Sequence, residues 1–471
     1  MRPWRSKIFQ RSARALQWCG CILWCWCGMT LAPAGTGTAS LTWDRMNGRV
    51  SANLERVRLL DLLEDIAGQS GWQVFVEPDE TFRASAKFEN LPPGEALRRM
   101  LGALNYAMVP QPDGGQRLYV FRTTLQHAVQ SVQHGKSAKR PEARKVPKEL
   151  ILRLQAGADV EALAKLLGGK VVGAIPELAA YRLQFADEAS TEAARQKLAG
   201  NPEVTSVEDN YFVDLPQVPQ PLAGGGVPAL RLSLAPPPAD GKNVVVGLVD
   251  TALQPLGPLE PFVKERLSVA GESQPDSGLP THATAMANAL YQAIGESGRR
   301  STSVPIISVD VFGPTGSANT FNVAWGLITA GNKGANLINA SLGGYGDSPV
   351  LRDAVQQLAR HGIPIFAAMG NDASLVPFYP AAYPEVVAVT ALQPRGGGVA
   401  PYANKGTTAD LAAPGLVLFG YNGGYFGSQG TSVSSAMAAG MAAGMAEVTR
   451  DPWSKIISSL ETTWAAPRVG N

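Results

Sequence analysis

The sequence predicts an α/β protein: a doubly wound, mainly parallel sheet over residues 241–471, preceded by two small α+β domains at 41–122 and 148–215. Two observations carry this. In the C-terminal half, apolar runs at 243–249, 304–311, 337–341, 363–368 and 386–390 alternate with stretches of helical spacing at 282–290, 319–333, 350–360 and 434–448, the pattern of a sheet wound on both faces. Upstream, shorter strand and helix patterns are separated by a basic stretch at 123–147 and a Pro/Gly-rich one at 216–240.

In chain order, Arg2, Arg5, Lys7, Arg11 and Arg14 precede an apolar run from Ala15 to Ala34 that ends Ala32-Pro33-Ala34. This is the layout of a secretory signal peptide over 1–34, with cleavage expected near Gly35. A retained anchor is the alternative, against which Gly20, Gly28 and Pro33 interrupt the run. All four cysteines (Cys19, Cys21, Cys25, Cys27) lie in this segment, so the mature protein would hold no disulfide. With 45% hydrophobic and 17% charged residues and a net charge of +2, the chain is globular and has no nucleic-acid or membrane-surface character.

Residues 41–122 read strand, helix, strand, strand, helix, strand. The helix 57–67 ends at Gly68, a short strand covers 73–76, a helix 94–104 follows Pro92-Pro93, and a strand returns at 117–121. The module resembles the short N-terminal domain shared by bacterial secretins and TonB-dependent receptors, which implies docking to an envelope protein in a Gram-negative setting; an unrelated spacer is the alternative. The basic stretch that follows, which holds His127 and His134, reads as a solvated linker. Residues 148–215 form a second compact unit with helices 160–167 and 191–198 and a closing strand 204–208. Residues 216–240 read as an exposed connector where processing would occur.

The chemistry centres on Gly430-Thr431-Ser432, at the mouth of a helix of Ala, Gly and Met. A hydroxyl there sits beside the helix's first N–H groups and suits a nucleophile, or it is simply the N-cap of a buried helix in which Ala436, Gly440 and Gly444 permit close backbone packing. A nucleophilic serine needs a base, an orienting carboxylate and an oxyanion donor. Asp250 ends an apolar run, His282 sits in Thr281-His282-Ala283-Thr284, and Asn371 closes 365–371.

In this order Asp, His, Asn, Ser, with flanking Asn339-Ala340-Ser341-Leu342-Gly343-Gly344, Tyr402-Ala403-Asn404-Lys405-Gly406 and Leu411-Ala412-Ala413-Pro414-Gly415, the chain from 241 to about 460 resembles the subtilisin-like serine peptidases, or subtilases. The resemblance implies catalytic Asp250, His282 and Ser432, an oxyanion hole from Asn371 and the Ser432 N–H, and substrate pairing by Ser341, Leu342, Gly343 and Gly344 together with 311–318. Phe378 falls where many subtilases keep a glycine at the floor of the pocket nearest the cut, which implies a small residue there. Residues 148–215, ending Val207-Glu208-Asp209-Asn210-Tyr211, resemble the family's inhibitory propeptide. Three residues depart from the family pattern: Ala252, Ala283 and Ala436 stand where Gly, Gly and Pro are usual, and a lost positive φ would strain the backbone.

No cofactor and no metal site is expected, because no Asp-rich loop makes the case for calcium. The expected partner is a protein or peptide substrate, with no nucleic acid and no stable membrane span after signal removal. Two further readings stay open: a catalytically inactive subtilase fold that binds partners, and an envelope assembly or signalling component with an accessory peptidase.

Overall fold

A computed structural model describes residues 39–466 apart from 46, 78–81, 111–115, 123–129, 133–141, 215, 223–229, 231, 277, 297–299, 394–397 and 406–408. The signal-peptide segment, most of the basic linker with its two histidines, and Gly224–Gly226 lie outside the described residues.

Residues 39–132 enclose their own core under two sheets. An antiparallel sheet joins Ala39–Asp44, Arg49–Arg58 and Arg83–Leu91, and a second sheet runs Asn105–Pro110, Gln116–Phe121, Gln73–Val76, Gln130–Val132. Apolar faces of helices Leu59–Ser70 and Pro93–Leu101 fill the space between them. Three expectations are corrected here. The first helix does not end at Gly68 but continues to Ser70, where Gly71 takes φ 77° and donates to the Ala67 carbonyl. The single strand expected after the second helix is a hairpin. Gln130–Val132 was read as linker, yet it pairs with Gln73–Val76, its apolar Val132 inside the core.

Lys145–Leu154, Lys170–Ile175, Ala180–Gln184 and Val204–Val213 form the next sheet. Helices Val160–Leu167 and Glu188–Leu198 cover one face. The other face delivers Ile151, Ile175, Leu178 and Ala180 into the core of the C-terminal unit. Its last strand runs on into that unit, where Phe212 and Val213 pair with Asn319 and Ala318.

The C-terminal unit is built on seven strands, all parallel, in spatial order Val263–Ser268, Ile306–Asp310, Val246–Asp250, Leu337–Ala340, Ile365–Ala368, Val386–Leu392, Leu411–Pro414. The first of these in the chain, Val246–Asp250, lies inside the sheet, so chain order reverses beside it and a crevice opens at its carboxyl end. Helices His282–Glu296 and Thr431–Thr449 pack on one face with Leu248, Phe366 and Val389. Thr320–Asn332 and Pro349–Arg360 pack on the other with Val249, Ile307 and Ile338. Alternate residues of each strand serve opposite layers, which is why the strands read as unbroken apolar runs. Sequence reading missed the edge strands Val263–Ser268 and Leu411–Pro414: the first alternates exposed and half-buried residues, and the second is four residues ending in Pro.

Candidate active site

Asp250 ends the central strand and is fully buried. Its carboxylate faces His282 Nδ1 at 2.8 and 2.9 Å and accepts the Thr251 N–H at 2.7 Å. His282 opens its helix. The turn before that helix is fixed by side chains: the Thr281 N–H donates to Gln254 Oε1, the Thr281 hydroxyl donates to the Ala252 carbonyl, and the Ala283 N–H donates to the Thr251 hydroxyl. None of Ala252, Ala283 and Ala436 has a positive φ, so the strain expected if glycine were needed there is absent.

The helix expected to begin at 434 begins at Thr431, which puts Ser432 in its first turn, where an N–H has no intrahelical acceptor. The entry demands glycine: Gly430 has φ 145°, and a Cβ there would lie 3.0 Å from Asn371 Nδ2. Asn371 is oriented from the same turn, since its Oδ1 accepts the Thr431 N–H at 2.9 Å and the Thr431 hydroxyl at 3.1 Å. The amide nitrogen lies beside Gly430, and Asn371 lines the same cavity as Ser432. The Ser432 hydroxyl donates to the Ser341 carbonyl at 2.9 Å rather than to His282.

Ser341 is itself a tie. Its Oγ donates to the Ser432 carbonyl at 2.7 Å and accepts from Asn339 Nδ2, whose Oδ1 receives the Ser435 hydroxyl. Of the predicted substrate-pairing residues, Ser341 thus turns its side chain to the serine helix, Leu342 is buried, and Gly343 offers its carbonyl to the Asp214 N–H at 2.8 Å. Gly344 pairs through both backbone groups with Tyr379. Phe378 fills the space between the two strands beside the serine: a Cβ on Gly343 would meet its ring at 2.4 Å and one on Gly370 at 3.2 Å.

Sequence reading missed three contributors. Thr431 orients Asn371 as above. Asn404, buried, accepts the Asp372 and Ser374 N–H groups at 2.9 and 3.0 Å and so shapes the loop that carries Asn371; its polarity in an otherwise small-residue stretch was the one signal. Residues 216–222 were read as exposed connector, but Pro216 and Gln217 line the cavity with Ser432 and Asn371, and Gln220–Pro221 pair with Gly427 and Phe426.

Residues 241–466 match the subtilase family and residues 132–210 the fervidolysin N-terminal prodomain. The C-terminal unit is a subtilase-family domain. Subtilisin Savinase of Lederbergia lenta is 32% identical over 179 residues, covering 37% of this chain and 65% of that protein. Fervidolysin of Fervidobacterium pennivorans is 29% identical over 197 residues, 38% of this chain and 28% of that protein. The crystal structure of fervidolysin shares the fold, with a TM-score of 0.52 at 20% identity over 69% of this chain and 58% of its own. The chain spans less than two thirds of the length of each of these relatives. Among the described residues of this chain, no helix is long and apolar enough to cross a membrane, and no cluster of three metal-ligating side chains occurs.

Proposed function

We propose that the protein is a serine endopeptidase made as a zymogen, hydrolysing peptide bonds through Asp250, His282 and Ser432. The observation that carries this reading is the His282 imidazole bonded at 2.8 Å to a fully buried Asp250, on a helix packed against the one that presents Ser432. In the reaction, the Ser432 hydroxyl swings from the Ser341 carbonyl about its Cα–Cβ bond, gives its proton to His282 Nε2 and attacks the scissile carbonyl. Asp250 keeps Nδ1 the protonated nitrogen and stabilises the imidazolium; the amide of Asn371 and the Ser432 N–H receive the oxyanion. Ser341–Gly344 and 311–318 pair with extended substrate, and Phe378 restricts the residue before the cut to a small one.

The second unit is, in this reading, an inhibitory propeptide. Glu208 accepts from Ser348 Oγ and the Val350 N–H, and Asn210 from the Phe321 N–H, so it caps two helices of the peptidase unit. The basic and apolar N-terminal segment supports export to a secreted or periplasmic location. The likeness of residues 41–122 to the secretin and TonB-receptor domain supports docking to an envelope protein, which deletion of those residues, read by location and pulled-down partners, would test.

A second reading, an inactive binding fold, draws on the Ser432 hydroxyl being bonded to Ser341 rather than His282. A fluorophosphonate probe separates the two. Labelling of the processed protein that disappears in Ser432→Ala supports the enzyme; an unlabelled processed protein supports the binding fold.

A further inference from the structure

The segment leaving the second unit lies along the cleft and is anchored on both sides of the site. Upstream, Phe212 and Val213 pair antiparallel with Asn319 and Ala318, and the Asp214 N–H reaches the Gly343 carbonyl at 2.8 Å. Downstream, Gln220 and Pro221 pair with Gly427 and Phe426, and the Leu222 N–H donates to the Tyr425 carbonyl at 2.8 Å. Between these arms Pro216 and Gln217 line the cavity that holds Ser432 and Asn371.

Register decides which bond faces the hydroxyl. From Asp214 back to Tyr211 the opposing residues rise from Gly343 through Gly344 to Gly346, so the two stretches run antiparallel. Continued in the same register, an N–H at position 216 would face the carbonyl two residues back from Gly343, that of Ser341, which lines the same cavity as Pro216. Residue 216 is a proline and has no N–H to give. The Ser341 carbonyl accepts the Ser432 hydroxyl instead.

We infer that Pro216–Gln217 is the bond this chain presents to its own Ser432, and that proline at 216 delays its hydrolysis and keeps the chain in one piece. The inference rests on the hydrolase reading above. In the cut, Ser432 Oγ bonds to the Pro216 carbonyl carbon as its proton passes to His282. The bond to the Gln217 nitrogen breaks, and that nitrogen takes the proton from His282. Water then hydrolyses the ester, leaving Pro216 as a carboxylate and restoring the Ser432 hydroxyl. Proline opposes the first step twice: it forgoes one seating hydrogen bond, and it leaves the Ser341 carbonyl free to hold the hydroxyl away from the imidazole. Alanine at 216 supplies the missing donor, competes for that carbonyl and releases the hydroxyl. The short ring of Pro216 also suits a pocket occupied by Phe378.

The test incubates the purified protein at neutral pH beside its Pro216→Ala, Ser432→Ala and doubly substituted forms, and follows intact mass, new N-termini and fluorophosphonate labelling. The first cut within 212–222 is expected to expose Gln217, and to appear about tenfold faster in Pro216→Ala, the scale of one hydrogen bond. It is expected to vanish wherever Ser432 is replaced. A first cut at another bond of this segment, or a Pro216→Ala protein that labels at Ser432 yet is cut no faster, overturns the inference while leaving the hydrolase reading standing. Neither cutting nor labelling in any form overturns both.

Discussion

A methyl group placed on Gly440 would lie 2.2 Å from the carbonyl oxygen of Leu290. Leu290 is eight residues beyond His282, Gly440 is eight beyond Ser432, and the next approach, Ile294 to Gly444, keeps the same offset. The two helices therefore run parallel and level, and their close approach sets His282 and Ser432 at one end of the pair.

Gly440→Ala must push these helices apart. It is expected to cost about 1–3 kcal/mol, the usual scale of overpacking, and to slow fluorophosphonate labelling of Ser432. Gly444→Ala, whose nearest neighbour would be 3.8 Å away, is the control and should leave labelling near the parent rate. Thermal melts and labelling rates of the two variants check this.

Replacing Asn371 by Leu removes the side-chain donor that the proposed mechanism assigns to the oxyanion. The turnover of a peptide substrate should fall roughly 10²–10³-fold with little change in KM, the magnitude measured for a subtilisin's corresponding donor. Because Asn371 also receives both groups of Thr431, Thr431→Val should give a smaller fall in the same parameter.

In the proposed mechanism Asn404 is a positioning residue for the loop it holds. Its alanine variant is expected to lower kcat more than it raises KM and to lose about 1–3 kcal/mol, since two backbone N–H groups would lose their acceptor. Asn404→Asp keeps that acceptor and should recover part of kcat. Steady-state kinetics of the three proteins separates positioning from simple destabilisation.

Phe378→Gly should open the pocket beside the cut. A peptide library is expected to show the parent preferring small residues before the scissile bond and the variant accepting Phe or Leu. A parent that already favours those aromatic or long residues would refute the restriction.

Burial raises the Glu208 carboxyl to about 7, ahead of the opposing effect of its bonds to Ser348 and Val350. A raised value means the docked arrangement keeps a proton that the undocked state gives up above pH 4.5. Docking of the second unit is thus strongest at acid pH and weakens as pH rises through 7, by at most about 1.4 kcal/mol per pH unit. Inhibition of the separated peptidase unit by added second unit, measured from pH 4 to 8, should follow this course and become flat with Glu208→Gln.

The sequence by itself determined the C-terminal fold, because strands buried on both faces leave unbroken apolar runs and their helices leave a clear period. Chain order and flanking motifs also singled out Asp250, His282, Asn371 and Ser432, through resemblance to the subtilases. What the sequence could not carry was whatever depends on separate stretches meeting. The Gln130–Val132 strand is three residues long and gains its stability from Gln73–Val76; Asn404 looks like any loop asparagine until the 370–374 loop closes over it. Residues 216–222 read as an exposed tether because Pro and Gln make no secondary-structure signal alone. Only the tertiary structure places them, since a β-pair is specified by its partner strand, and here the partners lie more than a hundred residues away.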